Sequence, residues 1–154
     1  MMLIDNVVDS LNEHRVQYAV VGGYAVALHG AVRGTVDIDL VIALNPRSYR
    51  QAEKALNAVG LKSRLPVTAD EVFNFREEYI TNRNLVAWSF NNPDNPLEVV
   101  DIIITEDVNN IKTVSKVING KKVKIIAIDD LIKMKRKSGR KQDLEDIKAL
   151  EKIK

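Results

Sequence analysis

Two aspartates, Asp37 and Asp39, stand one position apart in the run RGTVDIDLVI (33–42), which otherwise has the composition of a buried β-strand. Aspartate is a poor strand former, and side chains two positions apart on a strand lie about 6–7 Å apart on the same face. Two carboxylates at that separation repel by roughly 2–3 kcal/mol at an effective dielectric near 20. A bound cation would remove this cost, although a half-buried strand whose wet face carries acids explains the pair equally well.

A third acid, Asp101, lies in VVDIII (99–104), where both faces of the predicted strand are apolar. A carboxylate there is costly unless it is paired with a basic group, bonded to backbone amides, or bound to a metal. Three carboxylates from two strands would form an oxygen-rich site, for which Mg²⁺ is the expected ion and Mn²⁺ the alternative. Two such ions can hold the attacking and leaving oxygens of an in-line phosphoryl displacement.

The dipeptide Gly22-Gly23 ends a predicted strand and opens a predicted short helix. At such a junction backbone amides can approach phosphate oxygens. A simple turn is the alternative explanation of the two glycines taken alone.

The elements that must position these groups follow from hydrophobic periodicity and from turn and capping residues. The predicted helices are 2–14, 24–32, 45–61 (N-capped by Asn45 and ended by Gly60), 129–137 and 142–153. The predicted strands are 17–23, 35–44, 84–90, 97–104 and a hairpin within 113–128 that turns at Asn119-Gly120. Residues 61–82 are expected to contain a strand piece and an irregular loop. This order predicts an α+β fold, a mixed sheet with helices packed on it.

The length of 154 residues predicts a single domain, 1–154, with a core over 15–128 and C-terminal helices over 129–153. The chain has no cysteine, which excludes disulfides and thiolate metal sites and fits a reducing cytosol. It has no apolar run of membrane-spanning length and no basic N-terminal leader, so we expect a cytoplasmic protein without a membrane partner.

The charge is distributed unevenly along the chain. Residues 112–154 contain 14 Lys/Arg and 6 Asp/Glu, whereas residues 1–111 contain 9 and 15. The acids could serve phosphates through cations and the bases directly, or the basic tail could be a solvated lysine-rich surface. A further alternative is an RNA-binding protein that uses this tail, but the tail lacks the interleaved aromatic residues on which bases stack.

The run VVGGYAVALHGAVRGTVDIDLVI (20–42) resembles the signature of the nucleotidyltransferase fold shared with DNA polymerase beta. That signature is an apolar strand, a Gly-Gly or Gly-Ser turn, a short helix, an Asp-x-Asp on the next strand, and a third acid on a later strand. The form Arg33-x-Thr35-x-Asp37-x-Asp39 is most similar to the AbiEii-type branch, which includes toxins of bacterial toxin–antitoxin pairs. The chain is much shorter than a typical toxin of that branch.

The C-terminal run DDLIKMKRKSGRKQDLEDIKAL (129–150) is similar to that branch's closing motif. This motif has a lysine after an apolar helical turn, a basic residue, and an Asp-x-x-Asp on a final helix. Those positions are held by Lys135, Arg140, Asp143 and Asp146. The resemblance as a whole covers residues 17–44, 96–103 and 129–150.

The resemblance implies a role for each matching residue. Asp37 and Asp39 would bridge two metal ions and Asp101 would complete one metal site near the attacking hydroxyl, while Lys135 would clamp the triphosphate. The implied nucleotide-binding residues are Gly22, Gly23, Arg33, Thr35, Lys135 and Asp143. Each also has a structural explanation: Thr35 as a strand former, Arg33 and Lys135 as solvated cations, and Asp143 as a helix cap.

The function expected from these features is Mg²⁺-dependent transfer of a nucleoside monophosphate from a nucleoside triphosphate to an acceptor. The acceptor could be a small molecule, a protein hydroxyl or an RNA end, and a toxin would have a cognate antitoxin as its partner. The alternative is a catalytically inactive nucleotide- or RNA-binding module of the same fold.

Overall fold

A mixed seven-stranded sheet forms the centre of the computed structural model, which describes residues 2–31, 34 and 37–154. The strands lie in the order β3-β4-β5-β2-β1-β7-β6. They are β1 Tyr18–Val21, β2 Ile38–Ile42, β3 Lys62–Ser63, β4 Ala87–Asn92, β5 Asn95–Ile103, β6 Thr113–Ile118 and β7 Lys121–Ile126. The helices are α1 Leu3–Glu13, α2 Gly22–Leu28, α3 Pro46–Ala58, α4 Ala69–Asn74, α5 Arg76–Arg83, α6 Ile128–Ser138 and α7 Lys141–Ile153.

Helices cover both faces of the sheet, which confirms the predicted fold class. On one face α3 contacts α1 and α4, and its Tyr49 ring stacks on Trp88 of β4 with centroids 6.1 Å apart. On the other face α2, α6 and α7 contact one another. Because strand side chains alternate between faces, the residues of β5 and β2 that follow the parity of Asp101 and Asp39 lie on the side of α2, α6 and α7.

Local sequence signals account for several elements. The Asn45 side chain accepts a hydrogen bond from Ser48 N at 2.8 Å and Pro46 occupies the first position of α3, as expected for an N-cap followed by proline. The turn between β6 and β7 has positive φ at both Asn119 and Gly120, which is the backbone of the tight hairpin that this dipeptide predicts.

The expectation for residues 61–82 is wrong in its larger part. A two-residue strand, β3, is present, but an irregular loop does not follow, because α4 and α5 occupy 69–74 and 76–83. Helix α4 begins with a capping box in which the Thr68 side chain accepts from Glu71 N, and the Glu71 side chain accepts from Thr68 N. This Thr-x-x-Glu pattern is a sequence-level helix start.

Two smaller corrections concern the site. Gly22 and Gly23 belong to the first turn of α2 and do not end β1, and β2 begins at Ile38, so that Asp37 immediately precedes the strand. In the part of the chain that the structure describes, no helix is long and apolar enough to cross a membrane.

Candidate active site

Asp39 and Asp101 lie side by side on neighbouring parallel strands. Asp39 of β2 is in register with Asp101 of β5, and both side chains are half-buried on the face of α2, α6 and α7. Asp37, which is exposed, lines the same cavity of about 810 Å³ together with Asp39, Asp101, Gly22 and Gly23. The structure therefore brings the three acids and the two glycines to one place.

Gly22 is required at its position by two independent constraints. Its φ of +67° lies in the left-handed region that side chains disfavour. It also follows Val21, which pairs with Asp39, and a Cβ built on Gly22 would overlap the Asp39 carboxylate, lying only 2.9 Å from its Cγ. The bare backbone of Gly22 thus leaves the space that the Asp39 side chain occupies.

The acids at the site influence one another electrostatically. Burial, followed by the negative charges of Asp101 and Asp37, raises the pKa of Asp39 from 3.8 to about 7, against the opposing effect of Lys135 and Arg140. Burial and the charge of Asp101 also raise the pKa of Asp37, whereas Arg64 lowers it. The raised pKa values mean that the ionised carboxylates are unfavourable here, and a bound cation would stabilise them.

The donor set suits Mg²⁺ or Mn²⁺, because three carboxylates offer the hard oxygen ligands that these ions prefer. As they stand, no three acidic or imidazole side chains within 2–31, 34 and 37–154 are arranged closely enough to hold an ion. The three acids line one cavity and fit a divalent ion in their chemistry, but side-chain rotations would have to bring their oxygens to a common point.

A residue that the sequence did not single out, Ser89, holds Asp101. Ser89 of β4 pairs directly with Asp101, and its Oγ donates a hydrogen bond to Asp101 Oδ1 at 2.5 Å. This short, charge-assisted bond fixes one carboxylate oxygen and leaves Oδ2 for another ligand. Nothing in the sequence around Ser89 marks it, because its importance depends on the register between β4 and β5.

For the nucleotidyl transfer that the sequence resemblance implies, Ser89→Ala is expected to lower kcat by about 10-fold while the KM for the nucleotide stays unchanged, because Asp101 would lose its orientation. Steady-state kinetics on the purified variant would measure both constants. Ser89→Thr, which retains the hydroxyl, should recover most of the rate. Equal kcat values for wild type and Ser89→Ala would contradict the positioning role.

Lys135 lies in a buried ion cluster beside the cavity. Its Nζ is 3.1 Å from Asp143 Oδ1 and 3.0 Å from Asp146 Oδ2, and the Lys135 and Asp143 side chains are only 5% and 1% exposed. Burial alone would raise the pKa of Asp143, but hydrogen bonds from Arg140, Ser138 and Lys135 outweigh burial and hold this pKa well below its usual range. Lys135, for which the resemblance implies a triphosphate clamp, is thus buried and paired with two carboxylates, and the alternative of a solvated lysine is wrong.

Asp143 is both an ion-pair partner of Lys135 and the cap of α7, the role that was the alternative explanation of this residue in the sequence. Its Oδ2 accepts hydrogen bonds from Arg140 N at 3.1 Å and from Arg140 Nε at 2.9 Å, at the start of α7. The Arg140 side chain is nevertheless 75% exposed and lines the cavity with Lys135 and Lys137. Three basic residues from α6 and the α6–α7 junction therefore flank the acids on one side.

The remaining wall of the cavity is mostly apolar. Its apolar residues are Val21, Val86, Ala87, Ile103, Leu131 and Met134, and Thr105, Glu106 and Ser138 complete it. Val86, at the end of the segment before β4, is 51% exposed. A cavity with acids, cations and an apolar wall has the mixed lining that a nucleotide or a small acceptor requires. Two residues implied by the resemblance, Arg33 and Thr35, lie outside the described residues.

Comparison by sequence gives no relative: no protein-family model matches the chain, and no curated protein matches it. Comparison by structure gives clear similarities. The solution structure of the antibiotic-resistance factor ANT(2'')-Ia matches with a TM-score of 0.65 and 13% identity, over 96% of this chain and 80% of that one.

Two further solved structures show the same fold. The lincosamide antibiotic adenylyltransferase LnuA matches with a TM-score of 0.65 and 16% identity, over 98% of this chain and 96% of its own. TM1012 from Thermotoga maritima, described as a candidate nucleotidyltransferase, matches with a TM-score of 0.62 and 14% identity, over 95% of this chain and 88% of that one. The chain therefore has the fold of the nucleotidyltransferases.

Proposed function

We propose that this chain is a metal-dependent nucleotidyltransferase that transfers a nucleoside monophosphate from a nucleoside triphosphate to an acceptor and releases pyrophosphate. The observation that carries the proposal is the pairing of Asp39 with Asp101 on adjacent strands, with the bare backbone of Gly22 against Asp39. One neighbour of the same fold, LnuA, is named as an adenylyltransferase, which supports this class of reaction.

Asp37, Asp39 and Asp101 would hold the divalent ions. When bound, these ions would neutralise the charge that develops on the transferring phosphoryl group and on the leaving pyrophosphate. The raised pKa of Asp39 means that, near neutral pH without an ion, this carboxyl is partly protonated. It must lose that proton to serve as a ligand.

The nucleotide would lie against Gly22 and the basic flank of the cavity. Gly22 and Gly23 both line the cavity beside Asp39, so a phosphate chain bound there would lie next to their backbone amides. Arg140 and Lys137 have exposed side chains and are the cations best placed to reach phosphate oxygens. Lys135, buried between Asp143 and Asp146, would fix the position of this flank and contribute positive potential beside Asp39.

Asp101 would orient the attacking hydroxyl of the acceptor or accept its proton. Its Oδ1 is occupied by the Ser89 hydroxyl, so Oδ2 is the atom assigned to this contact. A carboxylate held in one rotamer by a neighbouring strand keeps its reactive oxygen in place, as a base or ligand requires.

The finer expectations stay predictions. The AbiEii-type branch, a toxin role with a cognate antitoxin, and the choice of nucleotide and acceptor rest on the sequence resemblance. The alternative, an inactive binding module of the same fold, retains the nucleotide contacts but lacks turnover. Incubation with labelled nucleotide separates these two functions.

The test is label transfer from α-³²P-labelled ATP, GTP, CTP or UTP, with Mg²⁺, to a cell extract divided into RNA, protein and small-molecule fractions. We expect label in one fraction, pyrophosphate as the second product, and loss of both with EDTA. Asp101→Asn should abolish the transfer.

The matched control is Glu98→Gln, because Glu98 lies on the same strand with the opposite parity and accepts a hydrogen bond from Asn92 at 3.0 Å. It should retain full transfer. Nucleotide binding without label transfer from any of the four nucleotides would favour the inactive module instead.

A further inference from the structure

A row of polar side chains crosses one face of the sheet from Asp39 to Arg64. Asp39 pairs with Asp101 and Asp101 with Ser89. The register of β3 with β4 pairs Lys62 with Asn91 and Ser63 with Phe90. It continues one residue further, because Arg64 N donates a hydrogen bond to Ser89 O at 2.9 Å. Residues opposite each other on antiparallel strands share a face. The Arg64 side chain is therefore attached on the same face of the sheet as Ser89, Asp101 and Asp39.

Arg64 brings a positive charge to the acids from the side away from the cavity. Its side chain is exposed, and the register places it two strands from Asp101 on the same face of the sheet. In the part of the chain that the structure describes, the Arg64 guanidinium has no ion pair within 4.0 Å and no side-chain hydrogen bond. The planar fork of an arginine, which suits a carboxylate or phosphate, is thus available beside the site.

The acids lie between two basic flanks. Gly22, Arg140 and Lys137 stand on the side of β1 and α6, whereas Arg64 stands at the far end of the row, beyond β5 and β4. In an in-line displacement the attacking and leaving oxygens lie on opposite sides of the phosphorus. If the triphosphate occupies the first flank, the acceptor approaches from the side of Asp101 and Ser89, and therefore past Arg64.

We propose that Arg64 is an acceptor-binding residue and that the acceptor is a small hydroxyl compound carrying an oxyanion, a carboxylate or a phosphate monoester, which the Arg64 guanidinium binds. This inference rests on the proposed function for the identity of the second substrate. Two strand spacings place Arg64 Cα about 10 Å from Asp101 Cα. An arginine side chain spans most of that distance, so the oxyanion lies a few bonds from the attacking hydroxyl.

The first experiment measures anion binding without turnover. The protein is labelled with ¹⁵N-arginine, and the Nε–Hε resonance of Arg64 is assigned by its disappearance in Arg64→Gln. Titration with inorganic phosphate and, separately, with acetate should shift this resonance saturably. Saturation by phosphate alone assigns a phosphate group, saturation by acetate assigns a carboxylate, and a linear, non-saturating shift with both overturns the proposal.

The second experiment measures the acceptor KM in label transfer. Panels of hydroxycarboxylates, polyol phosphates and the corresponding neutral polyols are compared in wild type, Arg64→Gln and Arg64→Lys. Arg64→Gln should raise the KM of the anionic acceptor at least 10-fold, with the nucleotide KM unchanged, and Arg64→Lys should restore part of the loss. Lys54→Gln, which removes an exposed charge from α3 on the opposite face, is the matched control and should change neither constant.

The outcomes separate the two proposals. An enzyme that transfers label to neutral acceptors equally well, with the same KM in Arg64→Gln, retains the proposed function and overturns the role of Arg64. A protein that transfers no label but shows saturable anion binding at Arg64 loses the proposed function and keeps the anion site.

Discussion

Asp39→Asn is expected to reduce the proposed nucleotidyl transfer on the order of 10³-fold or more, because Asp39 would be a ligand of the divalent ions and an amide is a poor substitute for a carboxylate ligand. The same change should make the metal-free protein more stable at pH 8. Label transfer measures the first effect, and urea unfolding in EDTA measures the second. Lost activity together with increased stability is the result expected where an ionised carboxylate is unfavourable in the absence of its ion.

The sign of the stability effect follows from the raised pKa of Asp39, which is about 7 in the folded protein and 3.8 in the unfolded chain. Between these two pH values the folded state binds the additional proton, so the stability of the wild type falls as pH rises. The whole difference between the two pKa values corresponds to at most about 4 kcal/mol in the free energy of unfolding. Asp39→Asn should therefore stabilise the protein by roughly 1–3 kcal/mol at pH 8 and by almost nothing at pH 4.

Mg²⁺ provides the control for this interpretation. Added to the wild type at pH 8, it should raise the melting temperature, because binding to the folded state relieves the repulsion among the acids. Asp39→Asn should respond much less. An Asp39→Asn protein that is less stable than wild type at pH 8 would show that the carboxylate is structurally favourable and would argue against an ion site.

Lys135→Met is expected to destabilise the fold by about 3–5 kcal/mol, since it leaves Asp143 and Asp146 buried without their shared cation. Both carboxylates lie within 3.1 Å of Lys135 Nζ, and all three side chains are at most 5% exposed. Urea unfolding at pH 7 measures the loss. Lys137→Met removes a cation that is 79% exposed and should cost less than about 1 kcal/mol.

The loss of stability caused by Lys135→Met should also depend on pH. The pKa of Asp143 is held below its unfolded value. Its ion pairs therefore contribute stability that is complete above about pH 4 and is lost as the pH falls below that value. The difference between wild type and Lys135→Met should then shrink at pH 3. A deficit below 1 kcal/mol at pH 7 would mean that the lysine is held loosely enough to move toward phosphate, as the sequence resemblance implies.

The proximity of Asp37, Asp39 and Asp101 could be predicted from the sequence, because residue spacing and strand parity are local properties. Asp39 and Asp101 each stand out as a charge in an apolar run, and two buried strands bring such charges to the same layer. The start of α3 at Asn45-Pro46 and the turn at Asn119-Gly120 were predictable for the same reason, since each follows from two adjacent residues.

The rest depends on pairings that adjacent residues do not encode. Ser89 and Arg64 acquire their significance only when β3, β4 and β5 are in register. The pairing of Lys135 with Asp143 requires the reversal at Gly139, whose φ is +65°, to fold α7 back against α6. Helix α4 is different, because the Thr68–Glu71 capping box was present in the sequence and predicts the helix that the structure shows.

The pairing of β2 with β5 has a consequence for how the protein acquires its chemistry. Asp39 and Asp101 are some sixty residues apart in the chain, and β1, which directly precedes Gly22, is flanked by β2 and by β7. Contacts between such distant segments form late, after the entropy of closing long loops has been overcome. A nascent chain that lacks β7 has no partner for one edge of β1, so the proposed site should form only in the final cooperative step of folding.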